Sequence, residues 1–303
     1  MPWAKGHVSG TAPSPRGGHA AAAIDNRIYI FGGADREGTV FGDLIALEIA
    51  APDSLKWVKV HFKGTAPQSR TGHTLVAFKK RLYLFGGQDP LESVVFNDLF
   101  EFDTDTSTWS KPSQSGAIPP PRNSHTAVVL DGHMVVVAGA NEEGPLDDSY
   151  TLDLETFVWT RIKSSRSIPE AREMHTSIPF GVNKVLVHGG RTLHGVMGDT
   201  HILDLETSEW SKASPTPFFR CAHVLTELEP FKEALLFGGT DCGRVYSDSW
   251  ILKLGDTMSW TENPVKTSAS RFAHTCTVVD GRAYVIAGIN FESDLSDVMV
   301  FSR

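Results

Sequence analysis

Arg16-Gly17-Gly18-His19 returns as Arg70-Thr71-Gly72-His73, Arg122-Asn123-Ser124-His125, Arg172-Glu173-Met174-His175, Arg220-Cys221-Ala222-His223 and Arg271-Phe272-Ala273-His274. Successive histidines stand 54, 52, 50, 48 and 51 residues apart. Such a period means one supersecondary unit copied six times, whose copies bury a common core only when stacked together.

Each copy extends well beyond its four residues. A short apolar run follows the histidine, as in Ala20-Ala21-Ala22-Ala23-Ile24, and then a turn such as Asp131-Gly132 or Asp280-Gly281. Asp-Gly between apolar runs is a hairpin signal. A second run ends in Gly32-Gly33, Gly86-Gly87, Ala138-Gly139, Gly189-Gly190, Gly238-Gly239 or Ala287-Gly288. After a variable loop comes an apolar residue two before an aspartate: Phe41/Asp43, Phe96/Asp98, Leu146/Asp148, Met197/Asp199, Tyr246/Asp248 and Leu295/Asp297. A third strand begins there, and Trp57, Trp109, Trp159, Trp210 and Trp260 mark a fourth. Four short strands per copy, with no long amphipathic helix, predict an all-β chain of radially arranged antiparallel sheets.

The sixth copy ends without a tryptophan strand. Trp3 precedes Arg16 by 13 residues, as Trp57 precedes Arg70, Trp109 precedes Arg122 and Trp159 precedes Arg172. Residues 3–8 are therefore expected to form the outer strand of the sixth sheet and so close the ring. The expected blades are residues 9–63, 64–115, 116–164, 165–213, 214–262, and 263–303 with 1–8, in a single domain 1–303. If Met1 is the native start, no further module precedes the ring.

The combination of Arg-x-x-His, apolar strand, Gly-Gly, Asp-led strand and Trp resembles the kelch repeat, and the resemblance covers essentially the whole chain. It implies a six-bladed β-propeller. The Arg-x-Gly-His form is most similar to stand-alone kelch proteins, such as the Rab-effector kelch protein and the kelch-domain-containing group. The resemblance implies a protein-interaction module, acting as adaptor, effector or scaffold. It also implies a partner docked on the face that carries the loops after the second and fourth strands.

Composition narrows the function classes. The net charge of −8 and a pI near 5.8 argue against a nucleic-acid partner, which needs a basic stripe. No apolar run approaches a membrane span. Cys221, Cys242 and Cys276 form no Cys-x-x-Cys pair. Such a sparse, odd set is read as reduced thiols in a cytoplasmic or nuclear setting. The expected assembly is a monomeric propeller that takes a protein or peptide ligand and no cofactor or metal.

The six repeat arginines (Arg16, Arg70, Arg122, Arg172, Arg220, Arg271) and histidines (His19, His73, His125, His175, His223, His274) are read as architecture. They are present in every copy, so they cannot discriminate a ligand. Residues that break the repeat are better candidates. Asp35, Glu37, Asp89, Glu92, Glu142, Glu143, Glu292 and Asp294 give an acidic arc on the post-glycine loops of blades one to three and six. Blades four to six carry Arg191, His194, Arg244, Phe218, Phe219, Phe272 and Phe291, which form the candidate partner footprint, since arginine and aromatics dominate interface energetics.

Catalysis is not expected. No carboxylate lies in the first four residues after any repeat histidine, so a paired acid and base would have to come from the loops. His7, His61, His133, His188, His194 and His201 have no metal-ligand spacing. The alternative is a small-molecule isomerase, lyase or specifier-type activity at the channel mouth. The specifier proteins' Glu-x-x-x-Asp-x-x-x-His iron motif has no counterpart in this sequence.

Overall fold

In a computed structural model, the chain is described for residues 3–302 apart from 52–53, 166–167, 214–215, 217, 229–231, 256, 266 and 268. The fold is an all-β, six-bladed propeller. Blade one is built from Ala20–Ile24, Arg27–Phe31, Leu44–Ala51 and Ser54–Lys59, and each later copy repeats that order from the channel outward. The second strand of blades one to four is exposed at its first residue and buried along the rest, because sheets of both neighbouring blades cover it. That explains its continuous apolar run in place of an alternating one. The Asp131-Gly132 and Asp280-Gly281 turns hold positive φ at both positions (45° and 75°, 49° and 70°), the type I′ geometry that matches strand twist.

The core is six apolar clusters, each between two adjacent blades. Tyr29 and Phe31 of blade one meet Phe102 and Trp109 of blade two, and Phe85 of blade two meets Trp159 of blade three at 4.8 Å between ring centroids. Each repeat tryptophan is thus a wedge between blades and not a channel residue.

The ring closes through Trp3–Lys5, which pairs antiparallel with Met299–Phe301. Trp3 packs on Phe237 of blade five at 4.8 Å and on Phe301 at 5.0 Å. The closing strand is shorter than residues 3–8. Val8–Ser9 already runs parallel to Leu55 and Lys56 at the outer edge of blade one. Lys63–Gly64 and Ser115–Gly116 do the same for blades two and three. The sequence between blades therefore covers the next sheet's outer edge, which an exposed edge strand would otherwise leave open to pairing.

Candidate functional site

The loop-rich face is positioned by the repeat residues. All six repeat arginines are buried to 1% exposure or less. Each points into its own blade. Arg16 donates from Nη1 to the Gly32 carbonyl (3.0 Å) and to Asp43 Oδ1 (2.5 Å), from Nη2 to Asp43 Oδ2 (3.1 Å), and from Nε to the Ser14 carbonyl (3.0 Å). The same bidentate pairing joins Arg70 to Asp98, Arg122 to Asp148, Arg172 to Asp199, Arg220 to Asp248 and Arg271 to Asp297. A planar guanidinium fits a carboxylate two bonds at a time, so arginine and not lysine occupies this position. The apolar residue two before the aspartate covers the guanidinium: Phe41 lies 3.9 Å from Arg16, Phe96 4.0 Å from Arg70 and Tyr246 4.4 Å from Arg220.

Backbone groups of the same residues link the blades. The second glycine of each blade donates to the arginine carbonyl of the next, from Gly33 to Arg70 (2.9 Å) round to Gly288 and Arg16 (2.9 Å). Inside that ring lies a tighter one. Gly72 donates to Gly18, Ser124 to Gly72, Met174 to Ser124, Ala222 to Met174, Ala273 to Ala222 and Gly18 to Ala273, at 2.7–2.9 Å. All six residues hold a left-handed φ of 50–68°. This closed circle of backbone hydrogen bonds rims the channel.

Histidines sit beneath the rim. The Nε2 atoms of His19, His125 and His175 meet Thr275, Thr74 and Thr126, the residues that follow the repeat histidines of the preceding blades, at 2.9–3.0 Å. Blades one and five carry Ala20 and Val224 there, which removes that threonine partner from His73 and His274. His223 takes His188 Nδ1 instead (3.0 Å). Burial holds all seven imidazoles neutral, with the repeat arginines adding to the effect in every one, and pushes His19, His175 and His188 down to about 3. His188 fills the place that Phe31, Phe85 and Phe237 fill in other blades, and it makes the same edge contact with the next blade's histidine.

Over this floor opens a cavity of about 430 Å³, lined by the six rim residues, by Thr71, Gln88 and Ile289, and by Asp35, Arg36, Phe272 and Asp294 at its edge. Hairpins formed by the post-glycine loops stand around it. Each is capped by a side chain two residues after the second glycine. Asp35 accepts from Thr39 N–H, Asp89 from Leu91, Asn141 from Glu143, Thr192 from His194, Asp241 from Gly243 and Asn290 from Glu292, at 2.8–3.1 Å. Asp35 and Asp89, expected in the acidic arc, are therefore loop caps. Asp294 is only 10% exposed and is engaged by Arg36, which crosses from blade one and also donates to the Glu292 and Asn290 carbonyls (both 2.8 Å). Glu37, Glu92, Glu142 and Glu143 remain exposed.

The candidate footprint separates into parts. Phe218 is corrected: it is 9% exposed and packs against Trp250, Trp260 and His188, so it belongs to the core between blades four and five. Its neighbour Phe219 is 58% exposed. Phe291 is 60% exposed and meets Phe272 edge-on at 6.3 Å beside the cavity. Arg191 is half exposed and paired with Glu173, the residue after the repeat arginine of its own blade. His194 is exposed, with Nδ1 3.0 Å from Glu170. Arg244 is exposed over the Tyr246 ring at 5.3 Å. Leu91 and Leu193, 69% and 82% exposed at the hairpin tips of blades two and four, are further exposed apolar side chains on this face. The sequence signal for them was an apolar residue inside an otherwise polar hairpin tip.

Comparison with known proteins agrees with this geometry. The family model of the KLHDC2/KLHL20/DRC7 kelch-repeats domain matches residues 1–181, 49–230 and 180–303. The chain is similar to the flagellar outer arm dynein alpha chain of Chlamydomonas reinhardtii, with 29% identity over 87% of this chain and 6% of the relative. It is similar to mouse kelch domain-containing protein 1, with 28% identity over 82% of this chain and 55% of the relative. Bovine kelch domain-containing protein 3 is 32% identical over 48% of this chain and 37% of the relative. In each case the match spans well under two thirds of the relative's length. With the repeat complete and the family model matched end to end, the chain belongs to the kelch-repeat family of β-propellers.

Proposed function

We propose that this propeller is a protein-interaction module that seats a peptide or protein segment across its loop-rich face, over the channel mouth, as an adaptor, effector or scaffold. Kelch propellers are commonly interaction modules. The observation that carries the reading here is an open cavity of about 430 Å³ at the channel mouth, on a face where hairpin tips expose Leu91, Leu193 and Phe291 and the segment before Arg220 exposes Phe219. Apolar side chains held out by capped hairpins on a rigid frame are what a binding surface requires. Small-molecule chemistry at the mouth would have to draw on the repeat histidines or on Asp35 and Asp294, and Asp35 caps its own hairpin while Asp294 is paired with Arg36. The repeat histidines of blades one, three and four spend Nε2 on inter-blade threonines. Three free thiols among the described residues support a cytoplasmic or nuclear setting.

The test is selection of peptides from a displayed library on the intact chain, followed by calorimetry. Phe219→Asp with Phe291→Asp should weaken the selected peptides at least tenfold, about 1.4 kcal/mol. Val182→Asp, on an exposed turn of the opposite face, should leave affinity unchanged. Equal affinity for the double variant and the wild type places binding elsewhere and overturns the proposal.

A further inference from the structure

The two cysteines of blade five occupy positions that face each other. Cys221 follows the repeat arginine, and Cys242 is the third residue after the second glycine. Cys221 and Thr240 pair across the hairpin base, Cys221 N–H to Thr240 O at 2.8 Å and Thr240 N–H to Cys221 O at 3.0 Å. The Thr240 hydroxyl then accepts from Cys242 N–H at 2.9 Å, which curls the tip back over the base. Blade six shows what this geometry does to side chains. Its residues at the same two positions are Phe272 and Phe291, and their rings touch. In blade five the two cysteines hold these same two positions, one at the hairpin base and one on the tip turned back over it. Cys221 is buried, its Sγ 3.5 Å from the Thr240 carbonyl, whereas Cys242 is exposed. Arg191 of blade four brings its positive charge to bear on both sulfurs.

We propose that Cys221 and Cys242 form a reversible dithiol–disulfide site on the loop-rich face, oxidised by exchange with a small disulfide such as oxidised glutathione. The inference stands apart from partner binding, since it needs only the two thiols and their geometry. Cys242 is the sulfur that reacts first, because it is exposed and Cys221 is buried. Its thiolate attacks one sulfur of the oxidant, breaking that disulfide, forming a mixed disulfide and releasing one glutathione. Cys221 then attacks the Cys242 sulfur, forming the internal bond and releasing the second glutathione. The protein gives up two electrons and two protons, and the oxidant takes up both as two thiols. Burial pushes the Cys221 thiol up to about 12, so its thiolate is scarce, which keeps it from the first step and leaves the second to the advantage of being intramolecular. Cys276 is half-buried on the inner strand of blade six, in a different blade, and takes no part.

The experiment uses the intact chain incubated natively with oxidised glutathione, quenched in acid, alkylated and digested with trypsin. Cleavage after Arg220, Lys232 and Arg244 puts the two cysteines on separate peptides, 221–232 and 233–244. The expected product is those two peptides joined by a bond that dithiothreitol opens. Cys242→Ser, an exposed change that leaves the core intact, should abolish it, and Cys276→Ser should leave it. Glutathione retained on Cys242 with Cys221 still a thiol would overturn the proposal. So would a linked pair that forms only in denaturant.

Discussion

At the scale of the residue, the repeat arginine turns from a tempting ligand into the most demanding structural group in the chain. Arg122 is fully buried, and its charge is matched only by Asp148 and by the Ala138 and Pro120 carbonyls. Asp148 also accepts from the Tyr150 hydroxyl at 2.9 Å. Removing the carboxylate leaves a buried cation without its counter-charge, which costs about 3–5 kcal/mol. Asp148→Ala should therefore lower the urea-unfolding free energy by about that much. A loss below about 1 kcal/mol would mean that water reaches the guanidinium. The sequence made this pair visible because arginine and aspartate recur in all six copies. It hid the hairpin caps, because Asp35, Asp89, Asn141, Thr192, Asp241 and Asn290 share an oxygen acceptor and not an identity. It hid the difference between Phe218 and Phe219 for another reason: an irregular segment has no period by which to side two adjacent aromatics.

At the scale of the element, the closing strand was legible from the 13-residue spacing of Trp3 and Arg16, but its length was not. The parallel pairing of Val8–Ser9 with blade one has no side-chain pattern, since backbone groups alone make it. Trp3 carries the closure. It is 9% exposed, wedged between Phe237 and Phe301, and its indole N–H donates to Ser249 Oγ at 3.2 Å. It thereby ties the first strand to blades five and six together. Trp3→Ala should cost about 3–5 kcal/mol, the usual range for emptying a large aromatic site. The loss should appear as a lower thermal midpoint with faster hydrogen exchange at Met299–Phe301, the strand that Trp3–Lys5 covers. Unchanged exchange there would show that the ring holds without its first strand.

At the scale of the whole molecule, the circular repeat concentrates seven neutral imidazoles: His19, His73, His125, His175, His188, His223 and His274. Unfolded, each titrates near the ordinary value of about 6.5. Folded, burial holds them well below it, at about 3 for His19, His175 and His188. Between those limits the unfolded chain binds protons that the native chain refuses, so stability falls as pH drops below about 6.5 and is level above it. One such group contributes at most about 1.4 kcal/mol per pH unit, and seven together about 10 kcal/mol. That equals the entire stability of an ordinary domain, about 5–15 kcal/mol. The urea midpoint should accordingly be flat from about pH 8 to pH 7 and collapse within roughly one to two units below pH 6.5. The depressed carboxyl of Asp199 adds its own loss only as pH falls below its unfolded value of 3.8. Acid unfolding complete by about pH 5 therefore reports the histidine ring. A midpoint that holds until about pH 4 would instead assign acid sensitivity to the arginine–aspartate pairs, and would mean the imidazoles accept protons inside the folded channel.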